Sequence, residues 1–138
     1  MAARSKARKR ALDILFEADS KSVPVNMVLA DQIRRREVAG EPQFNDYTVT
    51  LVEGVRANAD PIDAAINEAS REWTLERMPM VDRAILRLAA FEIAFSDEVP
   101  NAVAISEAVQ LATDLSTDES PAFINGVLGA ISTRAGSL

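Results

Sequence analysis

Apolar residues recur along the chain at the three- and four-residue spacing of amphipathic helices, and prolines divide the chain into separate elements. This spacing predicts a first helix over residues 5–20 and a second over residues 25–38, with a break before Pro24. A third helix is predicted from Asn45 onward. A fourth is predicted from Asp60, because an acid that precedes a proline is typical of a helix start.

The second half of the chain shows the same organisation. Thr74 begins a short turn that ends at Met78, and the next residue is a proline that opens the longest apolar helix. Residues 101–105 are predicted to be extended because their larger apolar side chains alternate, and Ser106 is then expected to cap a sixth helix. Ser120, followed by a proline, is predicted to open the last helix. The pattern therefore predicts an all-α fold of about seven helices.

Charge is distributed unevenly along this predicted fold. The first ten residues contain five cations and no acid, and since the whole chain carries −6, the remaining 128 residues carry −11. The five cations are Arg4, Lys6, Arg8, Lys9 and Arg10. Cations at a helix start oppose the helix dipole, so a basic arm that binds RNA phosphates is the favoured interpretation. A charged terminus that only aids solubility is the alternative.

Phe16 follows the basic arm within two helical turns. A ring beside a cationic strip suits single-stranded RNA, because phosphates bind the charge and unstacked bases lie on the ring. The same phenylalanine at helical spacing also fits a core position, and composition does not decide between the two.

The composition gives little support for catalysis. The 138 residues include neither His nor Cys, which removes the commonest general base, thiolate nucleophiles and thiolate metal ligands. The sequence contains no glycine-rich phosphate loop, and Asp114, Asp118 and Glu119 lack the spacing of a calcium loop. We therefore expect no enzyme, no cofactor and no metal site. Since no apolar run is long enough for a membrane span or a signal peptide, the expected location is the cytoplasm.

Three blocks of sequence occur in the order and at the spacing of a known family. The first comprises residues 81–87 with Glu92, the second Val99-Pro100, residues 103–105 and 107–109 and Leu111-Ala112, and the third Ser120, Phe123 and residues 125–128. Residues 7–17 are also similar to the opening helix of that family. On these blocks the chain resembles the NusB family of bacterial transcription antitermination factors.

The resemblance implies a fold of two small helical bundles packed together, as one NusB-like domain over residues 1–138 with residues 1–10 as its basic arm. It also implies a binding function. Members of the family bind the boxA element of ribosomal RNA leader transcripts together with NusE, a small-subunit ribosomal protein. This pair supports ribosomal RNA transcription within the antitermination complex of RNA polymerase.

Specific residues follow from the resemblance. The basic arm with Phe16 matches one RNA-facing region of the family, and Asp118, Glu119 and Phe123 match the other. Asp82 matches a position that the family uses near its protein partner. Two structural alternatives remain open: Asp82 as a first-turn acid that favours the helix dipole, and Phe123 as a core residue.

Two other functions compete with RNA-dependent antitermination. NusB-like domains also occur at the N-terminus of ribosomal RNA cytosine methyltransferases, which need a cofactor-binding domain and a catalytic cysteine that this chain lacks. The chain would then be a fragment of such an enzyme. The second competitor is a helical protein–protein interaction module, or a homodimer whose apolar faces pair, without RNA binding.

Overall fold

The computed structural model of the chain describes residues 2–136, and within them the chain forms seven α-helices and no strand. The helices are α1 (Ala2–Lys21), α2 (Val25–Ala39), α3 (Asp46–Ala57), α4 (Ala59–Ala69), α5 (Met80–Ala94), α6 (Asn101–Leu115) and α7 (Ser120–Gly136). None of the described helices is both long enough and apolar enough to cross a membrane. The predicted all-α fold is confirmed.

The helices form two bundles that share one core. In the first bundle α1, α2 and α3 contact one another, and in the second α4 to α7 pack together around α5. Helix α5 also packs against α1 and α3, so it joins the two bundles. Ten of its fifteen residues are buried, which explains why its sequence is the most apolar stripe of the chain.

Proline and Asn residues set most helix starts, as the sequence predicts. Pro24 and Pro79 immediately precede α2 and α5, and Pro121 is the second residue of α7. The side chain of Asn45 accepts a backbone N–H in the first turn of α3 at 2.8 Å, which satisfies one of the free donors at that end. These starts fix the boundaries of the helices that carry the candidate site.

One predicted element is wrong. Residues 101–105 are not extended, because α6 begins directly after Pro100 and Ser106 lies inside the helix rather than at its cap. The buried stripe of α6 consists of Ala104, Ala108 and Ala112, one helical turn apart. These small side chains carry the helical period, whereas the larger apolar residues that suggested alternation are only half-buried.

The basic stretch also differs from an arm that projects from the body. Helix α1 begins at Ala2, so the described cations all lie on its first three turns. Ala7 and Ala11 on the same turns are buried against α3 and α5. The hydroxyl of Thr48 on α3 donates a 3.0 Å hydrogen bond to the Ala7 carbonyl, which anchors this part of α1.

Candidate nucleic-acid interface

The five predicted cations divide between the two faces of α1. Lys6 and Arg10 are exposed and form no ion pair among the described residues. Lys9 is half-buried, and its ammonium lies 2.8 Å from the carboxylate of Asp13 one turn later. Lys9 and Arg10 lie three and four residues after Lys6, so all three share the outward face of the helix. This face is available to a polyanion.

Arg8 points in the opposite direction, and its prediction as an RNA contact is wrong. Its side chain is 2% exposed, and its guanidinium donates three hydrogen bonds of 2.9–3.1 Å to the carboxylate of Glu92 on α5. A fourth, of 3.0 Å, goes to Glu107 on α6. Burial alone would lower the pKa of Arg8, but its hydrogen bond to Glu92 and the nearby negative charge outweigh burial and raise it. Arg8 is therefore an internal cation that ties α1 to the second bundle.

Tyr47 on α3 completes this buried cluster. Its hydroxyl donates a 2.5 Å hydrogen bond to Glu92, so that carboxylate is held from two sides. Burial raises the pKa of the Tyr47 phenol, and the hydrogen bond and charge of Glu92 raise it further. Arg4 lies over the same ring at 4.5 Å and pairs with Glu98 at 3.1 Å. Since that ion pair is largely exposed, Arg4 remains within reach of solvent.

Phe16 lies on the surface at the end of this cationic face. Its ring is 38% exposed, so Phe16 is not enclosed in the core. It lines a groove of about 180 Å³ together with Lys9 and Asp13 of its own helix, Val81 of α5 and Leu115 of α6. Leu115 is itself 42% exposed. The groove thus has an apolar floor and a cation at its edge.

Asp82 is not available to a protein partner, and the prediction of direct contact is corrected. Its side chain is 0% exposed and accepts hydrogen bonds from the hydroxyls of Ser116, at 2.5 Å, and Ser120, at 2.8 Å. The carboxylate lies in the first turn of α5 and against the first residue of α7, where two helix dipoles favour negative charge. Asp82 therefore fixes the turn between α6 and α7. That turn carries Asp118 and Glu119, which are both exposed.

Phe123 is partly buried, so it is neither a fully enclosed core residue nor a fully exposed ring. One side of its ring packs edge-to-face on Trp73, with centroids 5.1 Å apart and planes at 63°. The other side lines a separate groove of about 270 Å³ with Arg71 and Gly126. Phe16 and Phe123 therefore belong to different grooves, one on each side of the α6–α7 region.

Sequence reasoning missed the contribution of α6. Gln110, Leu111, Asp114 and Leu115 face α1 across a groove of about 310 Å³. Leu111 and Leu115 have the helical spacing of core residues, so their position at the edge of a surface groove could not be predicted from the sequence. The acceptors Glu92 and Glu107 were also missed, because they lie 84 and 99 residues from Arg8 in the chain.

The fold and these surfaces define a class: a small all-α protein whose polar chemistry lies along an open, cationic helix face and three shallow grooves. The sequence model of the NusB family matches residues 5–133. The chain belongs to the NusB family.

Individual relatives agree with this assignment. The chain is 52% identical over 139 residues to the transcription antitermination protein NusB of Streptomyces coelicolor, covering 100% of this chain and 98% of that protein. It is 53% identical over 132 residues to the protein of the same name from Saccharopolyspora erythraea, covering 95% and 87%.

Solved structures share the fold. The T. maritima NusB structure superposes with a TM-score of 0.80 at 25% identity, covering 98% of this chain and 97% of that one. A crystal structure of antitermination factors NusB and NusE in complex with dsRNA gives a TM-score of 0.80 at 24% identity, covering 97% and 98%. The latter likeness concerns the fold alone.

Proposed function

We propose that this protein is a transcription antitermination factor that binds boxA-type single-stranded RNA together with the ribosomal protein NusE. It then acts within the RNA polymerase antitermination complex and supports ribosomal RNA transcription in the cytoplasm. The names of its relatives support this role. The role is one of binding, without catalysis or a cofactor, which agrees with a sequence that has neither His nor Cys.

The observation that carries the proposal is the outward face of α1. Lys6 and Arg10 are exposed cations without an acidic partner in the described structure, four residues or about 6 Å apart along the helix axis. Phe16 continues the same surface with a ring that is 38% exposed. Phosphates bind such cations, and an unstacked base lies on such a ring. This combination favours single-stranded RNA over a duplex, whose bases are already stacked.

The remaining body is acidic, with −11 outside the first ten residues. Such a surface suits a basic ribosomal protein and repels RNA, so binding to RNA alone should be weak. A complex with the ribosomal protein would add cations beside α1. We therefore expect the partner to raise both the affinity for RNA and its selectivity.

The test is a titration of labelled boxA-type RNA with the full chain, with and without purified NusE. Binding should tighten with the partner, and an unchanged affinity and selectivity would contradict the adapter role. Lys6→Met and Arg10→Met should each reduce the slope of log affinity against log salt by about 0.7. Arg34→Met is the control, because this exposed cation lies on α2 rather than on α1 and should leave the slope unchanged.

The same titration distinguishes the proposed function from the competing one. A protein–protein module or homodimer without RNA binding would bind NusE or itself, as light scattering would show, but would give no saturable RNA signal in either mixture. That result would overturn the RNA role of the α1 face.

A further inference from the structure

We propose that the groove between α1 and α6 takes one unstacked base of the bound strand, and that Gln110 and Asp114 select a base with an exocyclic amino group over uracil. The inference rests on the proposed RNA-binding function and adds a specificity-determining pair to it. The family blocks in the sequence include neither residue.

The groove is continuous with the surface already assigned to RNA. It has a volume of about 310 Å³ and meets the smaller groove of Phe16, because Lys9 and Leu115 line both. On the α1 side it is lined by Ser5, Lys6, Arg8 and Lys9, and on the α6 side by Glu107, Gln110, Leu111, Asp114 and Leu115. A strand that follows the cations of α1 therefore passes along the open side of this groove.

The two walls have complementary chemistry. The α1 wall presents the ammonium groups of Lys6 and Lys9 for phosphate, and leucines of α6 provide an apolar surface for the face of a base. Glu107 is half-buried, and its Oε1 already accepts hydrogen bonds from Ser5 and Arg8. The exposed acceptors on the α6 wall are therefore on Gln110 and Asp114.

These two side chains form an oriented pair. The Nε2 of Gln110 donates a 2.9 Å hydrogen bond to Oδ1 of Asp114 one turn later, and both residues are exposed at the groove. This leaves Oδ2 of Asp114 and Oε1 of Gln110 as adjacent acceptors. Carboxylate and amide oxygens accept hydrogen bonds from the amino groups of cytosine, adenine or guanine. Uracil has one donor at its polar edge, N3–H, between two carbonyl oxygens, so it could pair with only one of these acceptors and would place an oxygen against the other.

The position of Asp114 suits neither the dipole of α6 nor phosphate binding. It lies in the last turn of α6, which has no basic residue, and an acid there opposes the helix dipole. It also lies across the groove from Lys6 and Lys9, where it would repel a phosphate. A residue that breaks two local rules is best explained by a function, and base selection is the function that its free acceptor provides.

The test compares affinities of the full chain with NusE for a panel of boxA-type oligoribonucleotides in which each base is replaced in turn. At one position, replacement of an amino-bearing base by uracil should weaken binding roughly 5- to 150-fold. Asp114→Asn should reduce this preference to about twofold while leaving the preferences at other positions unchanged. Gln110→Leu should do the same without any change of charge.

Glu41→Gln is the matched control. This exposed acid lies between α2 and α3, away from the groove, and its removal should leave every preference intact. The proposal is overturned if Asp114→Asn strengthens binding to all oligoribonucleotides equally with the preferences intact, because the carboxylate would then act only as a repulsive charge. It is also overturned if Gln110→Leu changes nothing. A wild-type chain that binds no RNA in the presence of NusE would instead refute the proposed function itself.

Discussion

Replacing Arg8 by methionine tests most directly whether α1 has a buried, structural cation on one face and exposed cations on the other. The change removes the guanidinium that donates three hydrogen bonds to Glu92 and one to Glu107, and it preserves most of the side-chain volume. Glu92 is 1% exposed, so its carboxylate would remain buried with only the hydroxyl of Tyr47 as a donor. An uncompensated buried charge is among the few defects that strongly destabilise a small protein.

The magnitude follows from the geometry of the pair. Removal of one partner of a buried ion pair costs about 3–5 kcal/mol, and the remaining hydrogen bond from Tyr47 places Arg8→Met near the lower value. A loss of about 3 kcal/mol would lower the Tm of a chain of this size by roughly 10 °C. Lys6→Met is the matched control on the same helix, and as an exposed residue without an ion pair it should change stability by less than about 0.5 kcal/mol.

The assay combines urea unfolding with an RNA titration at several salt concentrations. Arg8→Met should lower the free energy of unfolding and leave the salt slope unchanged. Lys6→Met should leave the free energy of unfolding nearly unchanged and reduce the salt slope. The double variant Arg8→Met with Glu92→Met should regain part of the lost stability, because an apolar pair tolerates burial. The reasoning is refuted if Arg8→Met unfolds like the wild type and reduces the salt slope by about 0.7, since Arg8 would then contact phosphate.

Three further substitutions test other parts of the structure. Gly54→Ala should destabilise the protein by about 1–3 kcal/mol in thermal unfolding, because the new Cβ would overlap the ring of Phe91. Gly129→Ala is its control: a Cβ there meets open space, so the change should stabilise α7 by about 0.5–1 kcal/mol. Tyr47 is the only tyrosine, and because its pKa is raised, tyrosinate absorbance of the native protein should appear only well above pH 10. The stability that this phenol contributes is complete below its ordinary pKa of 10.0 and falls as the pH rises beyond that value. A native titration near pH 10 would contradict the buried hydrogen bond. Asp82→Ala should cost about 1–3 kcal/mol, because the hydroxyls of buried Ser120 and half-buried Ser116 lose this acceptor. Unfolding at wild-type denaturant concentrations would show that the α6–α7 turn does not need this carboxylate.

The fold was predictable wherever a local rule acts within a few residues. Prolines and Asn45 mark helix starts through backbone geometry and capping, which do not depend on distant parts of the chain. The prediction of an extended segment at residues 101–105 was wrong for a reason that is also local. The contacts of α6 are made by alanines, whose weak hydrophobic signal is hidden beside the larger valine and isoleucine.

The candidate site was less predictable, because the role of a charged residue depends on what lies opposite it in the fold. The helical period extended through the basic stretch places Arg8 on the same face as Leu12 and Leu15, which could have indicated its burial. The period could not identify Glu92 as its partner. A buried arginine without an acidic partner is energetically too costly, so reasoning from the neighbouring residues alone predicts that Arg8 is exposed to solvent.

The same reasoning applies to the residues that carry the family resemblance. Asp82 and Glu92 both belong to the first of the blocks that resemble the family, and both are buried acids that accept hydrogen bonds from other helices. Their side chains join α5 to α1, α3 and the α6–α7 turn, so they support the helices that carry the candidate RNA-binding surface without forming it. These two residues of the block thus stabilise the fold, whereas Gln110 and Asp114, the pair proposed to select a base, are exposed and lie outside the blocks.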